Sequence, residues 1–486
     1  MVASVESKND KKEVVVIGAG PGGYVAAIRL AQLGKKVTVV EKEVLGGVCL
    51  NWGCIPSKAM IYAGSLYEKI QQAGEMGIYV DNLRVEMPKL QQWKDSVVKK
   101  LTGGIGQLFK AHGIETIYGT ARFTGPKQLE VQTSQGASQE PRQTLEADYF
   151  LIATGSSPVQ VPGFPFDGKQ IVDSKEALSW SEVPKRLAVI GGGVIGLEMG
   201  TMFAKLGSQV TILELAPEIL PGVDQEIVQM LRRSLKKRGI TVHTKTEAKL
   251  ALIKDNKIHL DFETPKGAEA IEVDKLLVSV GRKPNTANLG LDKAGVQVNE
   301  RGVIAVDSQL RTNVPHIFAI GDITAPPLLA HKASKEGLVA AAVIAGSKEI
   351  LDYRAMPAAI FCTPEIAMVG LTEEQAVSAG YQIKVGKFPF AASGRALSMN
   401  EPEGMVKMIS DAETDILLGV HMIGPDVSEL IAEAALGIEM GATTEDIALT
   451  VHTHPTLPET MMEAAEAVHN LAIHIFQKEK PLVTAK

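Results

Sequence analysis

The chain has 486 residues, of which 45% are hydrophobic and 22% are charged, and its formal net charge is −6. A chain of this length predicts about three domains. The negative charge disfavours a nucleic-acid binder, and no apolar run reaches the length of a membrane span. The polar residues 1–13 predict a short disordered tail rather than a secretory signal. With only three cysteines an extracellular disulfide framework is excluded, and we expect a cytoplasmic protein.

A nucleotide-binding pattern opens the chain. An apolar strand runs into a glycine-rich turn, a helix-like stretch follows, and a second strand ends in Glu41. In such a turn the first glycine permits the bend, the second lets the backbone approach a pyrophosphate, and the third lets helix and strand pack closely. The acidic residue accepts hydrogen bonds from a ribose diol. The three glycines are Gly18, Gly20 and Gly23.

The same pattern recurs with every landmark shifted by 173 residues, at Gly191, Gly193, Gly196 and Glu214. Two dinucleotide sites in one chain imply that electrons pass from one cofactor to the other. A carboxylate at Glu214 repels a 2′-phosphate, and no arginine stands in residues 215–218 to bind one. The second site is therefore predicted to take NAD rather than NADP.

Two of the three cysteines, Cys49 and Cys54, lie five apart just after the first nucleotide-binding unit. A zinc site would need further ligands, and none lies nearby. A pair of buried, reduced cysteines is the alternative, but so close a pair in a cysteine-poor chain favours redox chemistry. Pro56 indicates that Cys54 begins a helix, where amide dipoles favour a thiolate.

Three further stretches, at residues 149–156, 276–285 and 316–322, each show an apolar strand followed by a glycine. The carboxyl ends of strands in open α/β sheets are where ligands bind. Asp322, after the glycine of the last stretch, suits a hydrogen bond to a ribose or ribityl hydroxyl; the alternative is a cap on the next helix.

After about residue 351 the pattern changes to mixed α+β, which at the end of a chain is typical of a subunit interface. A helix over residues 372–380 is capped by Thr372, and two Ala-rich helices are predicted over 427–440 and 459–476. Between the last two, His454 and Glu459 flank two prolines, which stiffen the backbone.

The order of these motifs resembles the flavin-dependent disulfide reductases over nearly the whole chain. The motifs are the two dinucleotide folds, Cys-x4-Cys, ATG, GRxPN, GD and HxHPTxxE. The resemblance implies an α/β fold with two Rossmann-like dinucleotide-binding domains and a C-terminal α+β dimerisation domain. The implied segments are 1–157 (FAD-binding, first part), 158–284 (NAD-binding), 285–350 (FAD-binding and central, second part) and 351–486 (interface).

The resemblance also assigns residues by matching position. Cys49 and Cys54 would form the redox-active disulfide, with Cys49 facing the substrate and Cys54 facing the flavin; His454 would be the base and Glu459 its orienting partner. Lys58 would lie near the flavin, paired with Glu198. The FAD contacts would be Gly18, Gly20, Gly23, Glu41, Lys58, Ala121, Gly155, Asp322 and Ala330. The NAD site would be formed or bordered by Gly191, Gly193, Gly196, Glu198, Glu214, Gly281 and Arg282.

Within that family the chain is most similar to the branch that oxidises dihydrolipoamide with NAD. This implies a homodimer in which each base comes from the other subunit, and a lipoyl-bearing partner from a 2-oxoacid dehydrogenase or the H protein of the glycine cleavage system. The alternatives are a reductase of another disulfide or a quinone, and a non-catalytic FAD/NAD-binding scaffold. Mercuric reductases add a C-terminal cysteine pair that this chain lacks.

Two residues near these motifs are expected to have structural rather than catalytic roles. His452 is expected to be structural, and Cys362 to be a small buried apolar side chain. The chain departs from the commonest family pattern at Val48, Trp52 and Leu328, which concern the disulfide loop and the flavin wall rather than the reaction class.

Overall fold

The computed structural model describes residues 12–133 and 142–477; most of the predicted N-terminal tail, residues 1–11, lies outside the described residues. The strands are β1 Glu13–Ile17, β2 Lys36–Glu41, β3 Glu115–Gly125, β4 Gln128–Thr133, β5 Arg142–Glu146, β6 Tyr149–Ile152, β7 Ser156–Pro158, β8 Ile171–Val172, β9 Arg186–Ile190, β10 Gln209–Leu213, β11 Thr241–His243, β12 Glu247–Lys254, β13 Lys257–Thr264, β14 Gly267–Val273, β15 Lys275–Val278, β16 Arg282–Pro284, β17 Ile317–Ala319, β18 Ala358–Ile360, β19 Glu365–Gly370, β20 Ile383–Pro389, β21 Met405–Asp411 and β22 Leu417–Gly424. The helices are α1 Pro21–Gln32, α2 Gly47–Trp52, α3 Cys54–Gln72, α4 Met87–Ala111, α5 Ser174–Ala177, α6 Val194–Lys205, α7 Gln225–Lys237, α8 Leu291–Ala294, α9 Ala330–Ile344, α10 Glu373–Ser378, α11 Gly394–Ser398, α12 Val427–Met440, α13 Thr444–Leu449 and α14 Glu459–Val468.

The chain divides into two compact units. The first covers residues 1–60, 86–159 and 281–352, and the second covers 61–85, 160–280 and 353–486. The division of the sequence into four functional segments stays a prediction. Among the described residues, no helix combines the length and apolar composition that a bilayer crossing requires.

The first unit is built on a sheet in the order β17-β6-β1-β2-β3-β4-β5. Its parallel strands are continuous apolar runs because both of their faces are covered, one by helices α1 and α9 and the other by strands β3 and β4 and residues 289–296. The core joins Val14 and Val16 of β1 to Ala26 and Leu30 of α1, all at most 1% exposed. The carboxyl ends of β1, β6 and β17 therefore meet at one edge, which carries the first glycine-rich turn.

The second unit repeats this arrangement in a parallel sheet of order β11-β10-β9-β15-β8. The register is the same in both sheets: Glu13 pairs with Lys36 in the first, and Arg186 with Gln209 in the second. Each pair member is displaced by the same 173 residues that separate the glycine motifs. The repeat read in the sequence is thus a repeat of backbone hydrogen bonding.

The C-terminal part of the second unit is an antiparallel sheet of order β18-β19-β22-β21-β20. Helix α12 packs on it through Val427, Ala434 and Ile438. Thr372 caps α10 with a reciprocal side-chain hydrogen-bond pair to Gln375, as its sequence position predicts.

One predicted helix is too long. The expected span was 459–476, but α14 ends at Val468. Asn470 adopts the left-handed conformation, with φ at 58°, and this ends the helix. The chain then folds back, and the backbone amides of Ile473 and His474 donate to the buried carboxylate of Glu463 at 3.2 and 3.4 Å.

A buried ion pair connects the C-terminal sheet with helix α7 of the same unit. Lys407 Nζ lies 2.7 Å from Asp224 Oδ2, and both side chains are at most 5% exposed. Glu226 and Glu373 also contact the ammonium. Burial alone raises the pKa of Asp224, but the hydrogen bond from Lys407 outweighs it and the pKa is lowered.

We expect Lys407→Met to lower the free energy of unfolding by about 3–5 kcal/mol at neutral pH, because Asp224 is then buried without its cation. A carboxylate with a lowered folded pKa stabilises the fold above its unfolded pKa, and this contribution disappears as the pH falls through the folded pKa. The deficit of the variant should therefore shrink in acid. Denaturant unfolding at pH 7 and pH 3 measures it.

The matched control is Lys387→Met, which removes another lysine from the same cluster. Its ammonium contacts Glu226 but its side chain is 30% exposed, so the loss should stay below about 1 kcal/mol. Equal losses for the two variants would contradict the buried-pair explanation.

Candidate active site

The two glycine-rich turns have the same internal geometry. In the first, a Cβ on Gly18 would lie 2.4 Å from Ala153 O, and one on Gly23 would lie 2.0 Å from Gly18 O. In the second, the corresponding distances are 2.5 Å from Gly191 to Ser279 O and 2.0 Å from Gly196 to Gly191 O. These positions admit only glycine because strand, turn and helix are in backbone contact there.

The middle glycines differ from their neighbours. A Cβ on Gly20 or Gly193 would meet no atom within 4 Å, so packing within the chain does not demand glycine at either position. Each precedes a helix whose N-terminus has no side-chain cap. Free amides at a helix N-terminus, with no side chain in front of them, form a site for phosphate.

The two acidic residues are held in the same way. Glu41 accepts a hydrogen bond from Ala19 N at 2.8 Å, and Glu214 accepts one from Gly192 N at 2.6 Å. The second oxygen of each carboxylate binds an amide two residues further on, at 2.8 and 2.7 Å. Both carboxylates are thereby fixed beside their turns with acceptor capacity left for ribose hydroxyls. The residues present therefore fit two dinucleotides.

The cysteine loop lies against the first turn. A Cβ on Gly47 would come within 2.7 Å of Gly20 Cα, which explains why this position needs glycine. Asn51 Nδ2 donates to Leu45 O and Gly47 O, each at 2.9 Å, and ties the loop together. Cys49 is thus held in α2 and Cys54 begins α3, as Pro56 indicated.

Both cysteines are free thiols in the structure, and their sulfurs are in hydrogen-bond contact. This hydrogen bond, followed by burial, raises the pKa of Cys49 well above its usual range, while the nearby charge of Lys58 acts in the opposite direction. The contact with Cys54 and the buried position therefore favour the protonated form of Cys49. The disulfide between them stays a prediction.

Asp322 lies in a short 3₁₀ turn, Gly321–Ile323, after β17. Its Oδ2 accepts a hydrogen bond from Ser156 Oγ at 2.5 Å. The backbone of the turn is held by a buried ion pair on α9: Glu336 accepts from Gly321 N at 2.7 Å and lies 2.8 Å from Lys332. The sequence analysis missed Ser156 and Glu336; the position of Ser156 next to Gly155 at a strand end was the available signal.

Arg282 binds Ser156, the residue that donates to Asp322 in this turn. Its Nε and Nη2 donate to Ser156 Oγ and O at 2.7 and 2.6 Å. Both residues belong to the first unit, whereas the sequence analysis assigned Arg282 to the border of the NAD site. That assignment stays a prediction.

The remaining cofactor residues divide between the units. Gly155, with φ at 66°, Lys58 on α3 and Gly281 belong to the first unit. Ala121 of β3 is 5% exposed, and Ala330 is the first residue of α9. Glu198, on α6 of the second unit, is buried and accepts from Phe361 N at 3.0 Å. The pairing of Lys58 with Glu198 joins residues of different units and stays a prediction.

His454 and Glu459 form a pair in the second unit. His454 Nδ1 lies 2.8 Å from Glu459 Oε1, and Glu459 Oε2 accepts from Thr456 N at 2.8 Å. Burial alone raises the pKa of Glu459, but the hydrogen bonds from Thr456 and His454 outweigh it and lower the pKa. An ionised Glu459 requires the proton of a neutral His454 to sit on Nδ1, which leaves Nε2 to accept one. The imidazole is 81% exposed.

His452 has a different environment from His454. Its two ring nitrogens contact Thr450 O at 2.8 Å and Glu433 Oε1 at 2.9 Å, and its side chain is only 6% exposed. These contacts support a structural role. Cys362 is 2% exposed, and burial raises the pKa of its thiol, which fits its interpretation as a small buried side chain.

Comparison with known proteins identifies the family. Residues 12–337 match the pyridine nucleotide-disulphide oxidoreductase profile, and residues 356–465 match the dimerisation domain of the same family. The chain belongs to the pyridine nucleotide-disulphide oxidoreductases. The predicted α/β fold, with two dinucleotide-binding domains and a C-terminal dimerisation domain, is confirmed, and FAD and NAD are the cofactors of this family.

Three proteins of similar sequence share one name. The dihydrolipoyl dehydrogenases of Thermus scotoductus, Geobacillus stearothermophilus and Bacillus subtilis are 51%, 49% and 47% identical to the chain; the matches cover 95–96% of the chain and 97–99% of each relative. Among solved structures, LpdA from Mycobacterium tuberculosis superposes with a TM-score of 0.87 at 26% identity, covering 94% of this chain and 99% of that one. The flavoprotein disulfide reductase RclA from Escherichia coli gives 0.83 at 29% identity, covering 93% and 99%.

The preference of this oxidoreductase for NAD can be tested at Glu214. Glu214→Gln keeps an acceptor for one of the two turn amides and removes the charge that repels a 2′-phosphate. We expect the ratio of kcat/KM for NAD to that for NADP to fall at least about tenfold. Steady-state assays with both nucleotides measure it. Glu247→Gln, an exposed acid on β12, should leave the ratio unchanged; a ratio unaltered in Glu214→Gln would refute the assignment.

Proposed function

We infer that this enzyme oxidises dihydrolipoyl groups to lipoyl groups and reduces NAD to NADH by way of FAD. The observation that carries the assignment is the contact between Cys49 and Cys54 in a loop packed on the phosphate turn of the first dinucleotide fold. Near-full-length relatives with this activity in their name support it. The residue roles that follow are part of the proposal.

His454 starts the reaction as a general base. A dihydrolipoyl thiol is poorly ionised at neutral pH and needs a base to become nucleophilic. Nε2 of His454 accepts its proton, and Glu459 stabilises the resulting imidazolium through Nδ1, as the carboxylate does in a Ser-His-Asp site.

Two exchanges then transfer the electron pair. The substrate thiolate attacks Cys49 Sγ in the Cys49–Cys54 disulfide, the S–S bond breaks, and Cys54 leaves as a thiolate. The second substrate thiol loses its proton to solvent and attacks the substrate sulfur of the mixed disulfide. This closes the lipoyl ring and releases Cys49, which takes the proton from His454. The enzyme then holds the reduced pair, and both cysteines are free thiols in the structure.

Gly18, Gly20, Gly23, Glu41 and Asp322 would hold FAD, which when bound would supply the redox chemistry that links the thiols to NAD. Lys58, one turn after Cys54 on α3, supplies positive charge on the cysteine side of this site. Glu214 and the turn from Gly191 to Gly196 bind and orient the nicotinamide nucleotide in the second unit.

The active enzyme is proposed to be a homodimer in which His454 of one subunit serves the cysteines of the other. The chain carries the dimerisation domain of its family. Large apolar side chains of this domain are exposed in the single chain, at 76% for Met440, 75% for Leu449 and 95% for Val451, which favours a protein interface there. The substrate arm is proposed to belong to a lipoyl-bearing protein of a 2-oxoacid dehydrogenase or glycine cleavage system.

The test is a substrate comparison with purified protein. Dihydrolipoamide with NAD should produce NADH at 340 nm, and the protein should show a flavin spectrum. Glutathione disulfide or a quinone, assayed with NADH and NADPH, should turn over at least about a hundredfold more slowly. Faster turnover of either would favour the alternative reductases, and a flavin spectrum without any turnover would favour the scaffold.

A further inference from the structure

We propose that Arg282 is a positioning residue of the flavin site, which acts on Asp322 through the hydroxyl of Ser156. The proposal rests on the proposed role of Asp322 as a flavin contact. The sequence analysis placed Arg282 at the border of the NAD site, and this proposal gives it a different role.

The directions of the hydrogen bonds follow from the donors present. A guanidinium only donates, so Ser156 Oγ accepts from Arg282 Nε at 2.7 Å. The single hydroxyl proton of Ser156 is then free to point at Asp322, whose Oδ2 lies 2.5 Å away. The three groups form one directed relay from cation to carboxylate, and each bond polarises the next.

The relay is anchored in the backbone. Arg282 also donates through Nη2 to Ser156 O at 2.6 Å, so it grips Ser156 at two atoms in a fixed fork. Ser156 is 3% exposed, and water therefore does not replace a lost partner without cost. Strands β7 and β16 pair antiparallel at this point, with Arg282 opposite Pro158.

The relay leaves Asp322 able to bind a ligand. Ser156 takes Oδ2, and Oδ1 keeps its acceptor capacity for a ribityl or ribose hydroxyl. The backbone of the Asp322 turn is fixed separately, through Glu336 on Gly321 N. With the turn held by Glu336 and the carboxylate held by Ser156, the rotation of the Asp322 side chain is what Arg282 controls.

Arg282 lies where the chain returns to the first unit. The chain leaves the first unit after Val159 and returns at Gly281, so Arg282 is among the first residues to rejoin it. Asn285, in the same motif, binds the neighbouring segment as well: its N donates to Gly155 O at 2.8 Å and its Nδ2 to Thr154 O at 3.0 Å. The returning chain thus holds residues 153–156 at two kinds of group. Asn285 binds their backbone carbonyls, and Arg282 binds the side chain of Ser156.

The experiment measures FAD affinity in Arg282→Gln and Ser156→Ala. Apoprotein of each variant is titrated with FAD, the quenching of flavin fluorescence gives Kd, and circular dichroism confirms folding. We expect Kd to rise about tenfold in each single variant. The double variant should equal the single ones, because both changes break the same relay. Lys283→Gln, which removes the neighbouring exposed charge, should leave Kd unchanged.

Further arms separate the possible failures. NADH affinity of the Arg282→Gln holoprotein should stay within about twofold of the original. A fall in NADH affinity with unchanged FAD affinity overturns the proposal in favour of the NAD border. If Asp322→Ala weakens FAD binding but the folded Arg282 and Ser156 variants do not, the relay alone is wrong. If Asp322→Ala has no effect on FAD affinity, Asp322 is not a flavin contact and the proposal about Arg282 is wrong. Dihydrolipoamide turnover measured in the same protein would then show that the proposed function still holds.

Arg282→Lys covers the case in which Arg282→Gln fails to fold. A lysine keeps the charge but has no fork to reach Oγ and the carbonyl oxygen together. FAD affinity several-fold weaker than the original supports the positioning role, and an unchanged affinity overturns it.

Discussion

Replacing Cys49 by serine is expected to lower dihydrolipoamide turnover by at least about a thousandfold, because the substrate thiolate then has no disulfide sulfur to attack. A serine hydroxyl is only slightly smaller than the thiol, so the loop tied by Asn51 should keep its structure. NADH formation at 340 nm measures the loss. The flavin spectrum and the oxidation of NADH by ferricyanide should persist, since neither needs Cys49.

Cys362→Ser is the matched control, because it changes the remaining cysteine, which is buried away from solvent. It should keep substantial dihydrolipoamide turnover even where its melting temperature falls. Full turnover in Cys49→Ser would refute the disulfide mechanism. Equal losses in both variants would trace the effect to folding rather than to the thiol exchange.

The second large effect is expected in His454→Gln. Loss of the base should lower kcat for dihydrolipoamide by about 10²- to 10⁴-fold. The decline in activity at acid pH that comes from protonating the base should also disappear from the pH profile. Glu459→Gln removes the charge that stabilises the imidazolium but keeps an acceptor for Thr456 N, and a smaller loss is expected.

His452→Gln distinguishes the base from its neighbour. His452 is buried between Thr450 and Glu433, so its replacement should lower the melting temperature but keep the shape of the pH profile. If the acid decline vanished in His452→Gln and persisted in His454→Gln, the assignment of the base would be reversed.

Mixed dimers test which subunit supplies the base. Cys49→Ser and His454→Gln chains are each expected to be inactive alone. Unfolded together and refolded, they form heterodimers in which one site combines intact cysteines with an intact His454 of the other chain. Random pairing should then restore about a quarter of the original activity. No recovery in dimers that have demonstrably mixed would contradict a base supplied by the other subunit.

Much of the site follows from short sequence patterns. In each repeat the acid follows the first glycine by 23 residues, and in the first repeat the cysteine loop ends 13 residues after the acid. Such short spacings indicate the roles of these residues because helix and strand geometry is local. Local signals also placed the Thr372 cap. The failure over residues 469–476 was local too: Asn470 favours a left-handed turn, and the apolar pattern concealed it.

The contacts around Asp322 could not be read in this way. Ser156 contacts both Arg282 and Asp322, which lie 126 and 166 residues further along the chain. The contacts among these three side chains depend on where β7, β16 and β17 end. No periodic pattern in the intervening sequence predicts those positions. The sequence suggested a cofactor contact for Arg282, and only the fold shows that its guanidinium binds Ser156.

By itself the sequence determined two dinucleotide folds in one register, a close pair of cysteines and a His-Glu pair, because these depend on residue types at short separations. Only the tertiary structure showed that burial and the contact with Cys54 raise the pKa of Cys49 and that turn amides fix the carboxylates of Glu41 and Glu214. It also showed that His454 rather than His452 has an exposed ring. Burial and hydrogen-bond partners are properties of the packed chain, and they decide which of two similar side chains is available for chemistry.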